Sequence, residues 1–339
     1  MNFEYTDQEK KLISAMDEAL KGTPKPVETP ELLKILAPLG YTTLHANGHS
    51  GALASVREAL TLWQPDLSRT LETSLRMAAP LLESVARPAW QEILESITKG
   101  ETIATVAFEG DMAAKTMGSE VLLSGQCRNV PGGGVAQVIL VVATLDESPA
   151  LALIQSDAQG LSFEKSPTGL YTLTLAGAAV PETFVTPVKG DALPATLTTM
   201  KHRIQISEAT GHAAAAFAMA KTFANTPPES GGKPPAARQE IGFALATMYT
   251  LLQTSRLMAE DANTKEKKPE DEAMKTSCAR VFCTDAAQEI CTSAVNIMGE
   301  AAFGENGPMQ RMEKVQALRV EGTPIGQTRE AIGNMLLKW

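Results

Sequence analysis

"ITKGETIATVAF", residues 97–108, is where the chain changes character. Up to Thr98 the apolar residues recur at helical spacing, and Gly100 stands where a helix commonly ends in a left-handed glycine. From Thr102 onward short β-branched and apolar runs take over, and Gly, Pro, Asp and Ser punctuate them. A second change, back to long helical patterns, falls near residue 190. A β segment enclosed by two helical regions is therefore the frame in which every motif has to be placed.

Five helical stretches precede the first change. "TDQEKKLISAMDEAL" (6–20) opens on Thr6 as an N-cap, and "TPELLKILAPLG" (29–40) has Pro30 in its first turn and Gly40 at its end. "SGALASVREALTLW", "DLSRTLETSLRMAAPLLESVA" and "AWQEILESITKG" follow. The central region holds "TIATVAF", "EVLLSG", "AQVILVVATL", "ALALIQS", "LSFEKS", "LYTLTLAG" and "TFVTPV", which predict six or seven strands in a small barrel or sandwich. After residue 190 come an Ala-rich helix (198–224), a helix over 237–262, a helix over 273–299 and a terminal helix from 326, separated by "PPESGGKPP", the charged turn "TKEKKPEDE" and the loop "FGENGP". The expectation is an α+β multidomain chain. It has an N-terminal helical domain (1–101), a central small β-barrel or sandwich (102–189) and a C-terminal four-helix bundle (190–339).

The bulk properties exclude some functions. The chain has 339 residues and a net charge of −9, so broad binding to a nucleic-acid backbone, which needs clustered Lys and Arg, is not expected. No run approaches the roughly 18 apolar residues of a spanning helix, and the amphipathic start lacks a signal-peptide core. Of the four cysteines, Cys278, Cys283 and Cys291 lie in one helical stretch at spacings that match no zinc pattern, which predicts free thiols and a cytoplasmic protein. His45 and His49 in "LHANGHSG" have no nearby ligand to complete a metal shell. His202 and His212 are read as packing residues. "VPGGGVAQ" lacks the Lys-Ser/Thr and the following helix of a phosphate loop, and is read as a hairpin turn.

The order of elements and several local strings resemble the acyl-CoA dehydrogenase family. "ITKGETIATVAF" resembles the passage from its N-terminal helices into its β domain, and "VLLSGQCRNVPGGGVAQVILVVATL" its first hairpin region. "GGKPPAARQEIGFALATM" is similar to its turn and following helix, with Gln239 at a recurrent Gln, and "SRLMAEDA" follows on that helix. "AVNIMGEAAFG" stands where the family has a Gln and a Gly-Gly loop, and "VEGTPIGQTREAIGNMLL" resembles the final segment. The resemblance implies that a carboxylate removes the α-proton of an acyl-CoA thioester while the β-hydride passes to N5 of FAD. It implies an electron-transferring flavoprotein as electron acceptor and a dimer or tetramer as the assembly. Glu321, before Gly322 and Thr323, stands at the position of the catalytic base. Arg203 falls where relatives have an Arg near the substrate or at a domain contact. Asn129, Val130, Gln239, Asn296, Gly299 and Thr323 stand at the cofactor-binding positions.

Those cofactor strings are eroded. Glu109, Gly110 and Asp111 in "AFEGDMAAKTMGSE" replace the family's Thr-Glu-Pro, and an ionised Glu109 cannot donate to the acceptor atoms of a flavin. Asn129-Val130-Pro131 replaces an aromatic residue, an Ile and a hydroxyl. The Arg-x-x-Phe that grips the cofactor diphosphate falls on Pro228 and Gly231, and Glu300 brings a negative charge to the Gly-Gly loop. The resemblance thus implies a subunit paired with a fuller paralogous acyl-CoA dehydrogenase chain that supplies most of the FAD site. A non-catalytic scaffold or acyl-CoA-binding subunit, and a conventional FAD-binding homo-oligomer, are the alternatives.

Overall fold

A computed structural model describes residues 6–24, 27–43, 50–85, 87–188, 192–229 and 231–337. They form two compact units, one taking Met1–Glu9, Ser50–Pro65 and Gln205–Trp339, the other Lys10–His49 and Asp66–Ile204. His45 and His49 lie outside the described residues.

The N-terminal helices are α1 (Asp7–Gly22), α2 (Thr29–Leu36), α3 (Ser50–Trp63), α4 (Pro65–Thr73), α5 (Ala79–Ser84) and α6 (Pro88–Thr98). Thr6 caps α1 reciprocally: its Oγ1 accepts from the Glu9 amide at 3.2 Å, and Glu9 Oε2 accepts from the Thr6 amide at 2.9 Å. One π-helical turn, Ser74–Ala78, joins α4 to α5. The Ser74 hydroxyl inside it accepts from the Ala104 amide at 3.0 Å and so ties the turn to the start of the sheet. In the last of these helices Trp90 is fully buried, and its indole donates to the Thr183 carbonyl at 3.3 Å.

The sheet has eight strands: β1 (Ala104–Ala107), β2 (Glu109–Met117), β3 (Glu120–Val130), β4 (Val138–Leu145), β5 (Ser148–Gln155), β6 (Leu161–Lys165), β7 (Tyr171–Pro181) and β8 (Val185–Pro187). Their order is β6-β7-β3-β2-β4-β5-β8, with β1 parallel to β4. This path is open, so the sheet is not a closed barrel. β2 is the strand that propensity does not announce, because "EGDMAAKTM" is rich in residues depleted from strands. It forms because Met112 and Ala114 alternate into the core while its whole length pairs with β3, from Glu109↔Arg128 to Met117↔Glu120. Two glycines make that pairing possible. A Cβ on Gly110 would meet the Gln126 carbonyl oxygen at 2.1 Å, and one on Gly125 would meet that of Asp111 at 2.0 Å. The "VPGGGVAQ" segment is not a hairpin. It links β3 to β4, which have β2 between them. Gly133 and Gly134 sit under Phe163 and Tyr171, whose rings meet edge-on with centroids 5.9 Å apart.

The C-terminal helices are α7 (Ala192–Asn225), α8 (Gln239–Ala262), α9 (Pro269–Met298), α10 (Pro308–Val320) and α11 (Ile325–Leu337). Buried alanines 209, 213, 216, 220 and 224 form one stripe along α7. Close approach also governs Gly211, where a Cβ would lie 2.6 Å from Cβ of Thr61 on α3. The sequence reading does not pick out α10, which begins at Pro308 after Gly307 as N-cap. None of the helices among the described residues is long and apolar enough to cross a membrane.

Candidate active site

Glu321 ends α10. Its backbone is extended (φ −70°, ψ 128°) and its amide still donates to the Ala317 carbonyl at 3.0 Å. Gly322 follows at φ +66°, a left-handed conformation that glycine adopts without strain. The chain then turns through Thr323 and Pro324 into α11. The Glu321 side chain is almost wholly buried, with the residue 8% exposed. The end of a helix carries unsatisfied carbonyls and partial negative charge, so a buried carboxylate there needs nearby positive charge and a rigid frame.

Arg280 supplies both. It projects from the middle of α9 and is completely buried. Its Nη2 donates to the Leu318 carbonyl at 3.1 Å and to the Thr323 carbonyl at 2.8 Å, one on each side of Glu321. Its Nη1 donates to the Thr328 hydroxyl on α11 at 2.6 Å, and its Nε to Gln205 Oε1 on α7 at 2.8 Å. One guanidinium thus joins α7, α9, α10 and α11 around the loop that bears the carboxylate. Asp285, five residues further along α9, pairs with Arg319 of α10 and Arg329 of α11 and ties these three helices together.

The other predicted positions are scattered. Gln239 is the first residue of α8 and is exposed. Asn296 is exposed on the last turn of α9, and Gly299 closes that helix at φ +56°. Thr323 is half-buried, and it is its carbonyl that is engaged by Arg280. Arg203 is half-buried on α7. His212 is buried, with Nε2 3.7 Å from Glu208 Oε1 and Nδ1 3.5 Å from Arg311 Nη1. Arg311 in turn donates to the Thr61 and Leu62 carbonyls at the end of α3, so this cluster braces a helix terminus. Among the described residues no group of three His, Cys, Asp or Glu side chains is arranged to hold a metal. The thiols of Cys127, Cys283 and Cys291 are pushed up to about 12 by burial, which leaves them protonated and unreactive at neutral pH.

At the β-unit positions where the family resemblance would place the flavin ring, the side chains engage one another. Cys127 pairs with Leu173 but Val130 with Tyr171, so the strand carries one extra residue, a bulge. Asn129 lies in that bulge at φ +56°, a conformation that Asn tolerates better than most residues. Its Nδ2 donates to Glu109 Oε2 at 2.8 Å, while Lys201 Nζ lies 2.6 Å from Glu109 Oε1. The two cationic and amide donors at this edge are therefore spent on one carboxylate. Val130 points into the sheet core and covers nothing. Only Phe108 separates β1 from β2, so the segment expected to be a shortened loop is a strand, paired along its length with β3. A flavin ring needs hydrogen-bond donors and a flat apolar platform; these residues do not fit it.

Arg280, beside the Glu321 loop, and Lys201, beside Glu109, are residues that the motif reading passes over. A lone cation in the apolar run "SCARVFC" is a usable signal, since a charge at a core position has to be partnered. Lys201 gives no such signal, because its partner lies 92 positions away.

Residues 194–334 match the family model described as acyl-CoA dehydrogenase, C-terminal domain. Mitochondrial isobutyryl-CoA dehydrogenase of Bos taurus is 29% identical over 222 residues, which is 60% of this chain and 53% of that protein. The chain thus spans about half the length of this curated relative. Butyryl-CoA dehydrogenase from Megasphaera elsdenii superposes with a TM-score of 0.88 at 19% identity, covering 99% of this chain and all of that one. A chain of the ChsE4–ChsE5 complex from Mycobacterium tuberculosis superposes with a TM-score of 0.84 at 21% identity, covering both chains completely. The C-terminal region thus matches the acyl-CoA dehydrogenase family, and the whole chain shares the fold of its solved members.

Proposed function

We propose that the chain is one subunit of an acyl-CoA dehydrogenase complex, that Glu321 removes the α-proton of an acyl-CoA thioester, and that a paralogous partner holds the FAD. The observation that carries this reading is the contrast between the two regions. Glu321 is buried on a loop clamped at both flanks, whereas Glu109, Asn129 and Lys201 satisfy one another where a flavin would need them free. A partly desolvated carboxylate is the kind of group that general-base catalysis at carbon requires. The thioester carbonyl must also be polarised. The Glu321 amide is committed to Ala317, so that donor comes from another group. The two-chain complex among the structural neighbours supports a heteromeric assembly, and the neighbour described as an electron-transferring flavoprotein supports that class of electron acceptor.

The test is Glu321→Gln in the complex purified through a tag on this chain, with butyryl-CoA as the probe. Loss of α-proton exchange with D2O by about 10²-fold or more is expected for a general base. Unchanged exchange removes the catalytic role. A second reading, a scaffold or acyl-CoA-binding subunit without chemistry, is favoured by the closed flavin edge alone. It predicts that the partner keeps its turnover when this chain is left out. The conventional homo-oligomer predicts a yellow chain when it is purified alone, and the proposed complex predicts a colourless one.

A further inference from the structure

We infer that Arg280 is the positioning residue of the Glu321 loop, holding the carboxylate at the angle at which it meets its substrate. This rests on the reading of Glu321 as the base. An arginine buried only to fill space would need any acceptors within reach; this one takes carbonyls on both sides of a single residue. Its Nη2 bridges the Leu318 and Thr323 carbonyls, which bracket Glu321, so the loop cannot rotate about Gly322 without breaking one of the two bonds. The remaining donors fix the guanidinium itself against Thr328 and Gln205, on two further helices. The planar, forked donor set makes this possible, and a lysine ammonium at the same place can serve only part of it. The guanidinium also lies at the carbonyl end of α10, where a cation offsets the field that a buried carboxylate meets there.

Four variants of the complex test the inference: Arg280→Gln, Arg280→Lys, Thr328→Val and Glu321→Gln, with the double variant Arg280→Gln/Glu321→Gln. Three quantities are read for each: amide hydrogen exchange of residues 318–329 against that of the α9 core, the α-proton exchange rate of bound butyryl-CoA, and its KM. Arg280→Gln is expected to speed exchange in the loop at least tenfold and to slow α-proton exchange at least tenfold with KM within twofold. Arg280→Lys should recover part of both losses, Thr328→Val should show a smaller loss of the same kind, and the double variant should be no slower than Glu321→Gln. A variant that melts earlier but keeps its rate per bound substrate overturns the inference, as does a double variant whose losses multiply. If Arg280→Gln does not fold, Arg280→Lys and Thr328→Val decide by the same criteria. Unchanged exchange in Glu321→Gln instead removes the base itself, and the positioning role falls with it. That outcome is separate from a silent Arg280→Gln beside a dead Glu321→Gln, which removes only the positioning.

Discussion

Lys201→Met and Glu109→Gln, made singly and together, weigh the contact that closes the β-unit edge. The Lys201 and Glu109 side chains are 12% and 21% exposed, with N and O 2.6 Å apart. Fully exposed pairs contribute about 0–1 kcal/mol. Removing one partner of a fully buried pair costs about 3–5 kcal/mol, because the other charge is left without compensation. The pair lies between these limits, and Asn129 remains to satisfy part of Glu109 when Lys201 is gone. Each single variant should therefore cost about 2 kcal/mol, and the double-mutant cycle should give a coupling of about 1.5 kcal/mol.

Native-state hydrogen exchange of the β2 and β3 amides is the assay, since it reads local free energy without assuming that both compact units unfold together. A loss of about 2 kcal/mol appears as roughly thirtyfold faster exchange. Additive single effects, or exchange within about threefold of the parent, would show that Lys201 and Glu109 do not hold each other. The edge would then be available to a ligand, and the argument that a partner supplies the FAD would lose its support.

Three further outcomes are expected. Among the four thiols, native protein at pH 8 should be alkylated at half-buried Cys278, with Cys127, Cys283 and Cys291 reacting only on unfolding. Because burial raises those three from 9.0 to about 12, the folded state keeps protons that the unfolded chain releases. Their contribution to stability is therefore intact below pH 9 and is lost between about pH 9 and 12, at about 1.4 kcal/mol per thiol by pH 10. Substituting the three by Ala should flatten that alkaline decline in a pH series of melting temperatures, and an unaltered decline would refute the assignment. Gly322→Ala should cost about 1–2 kcal/mol, since an L residue is strained at φ +66°. It should also lower α-proton exchange; unchanged stability would mean that the turn is not left-handed.

Sequence reading recovers elements whose signal is local. The Thr6 cap, the proline near the start of α2, the β-branched run of β4 and the apolar run of β5 each carry their reason within a few residues. It fails where the reason lies across the fold. β2 has the composition of a loop and is held as a strand by Gly110 and Gly125, which let its backbone approach that of β3. α10 is legible in part, since Met312, Val315 and Leu318 recur every three residues, but its one buried charge, Arg311, earns its place by reaching Thr61 on another helix. In the site, Glu321 is visible because a tripeptide marks it. Arg280, which frames it, is marked only by being a charge among apolar neighbours.

The Glu321 loop and the Glu109–Asn129 contact differ in what a substitution can undo. The Glu321 loop is over-determined: a left-handed glycine, a helix end, a prolyl start to α11 and the four Arg280 bonds all impose the same geometry. Such redundancy would hold the Glu321 loop through substitutions elsewhere in the bundle that spare Arg280, because the helix end, the glycine and the proline impose the same turn. The β edge has no such redundancy. There, shortening the connection between β1 and β2 to Phe108 draws the loop into the sheet and commits its residues to a ladder. Glu109 then lies at the first pair of that ladder, within reach of both Asn129 and Lys201, and a carboxylate at such a position recruits whatever donors are nearby. Restoring Thr at position 109 alone would leave the strand in place, so Glu109→Thr should not by itself confer flavin binding on the chain. A yellow Glu109→Thr protein would show that the carboxylate, and not the lost loop, is the obstacle.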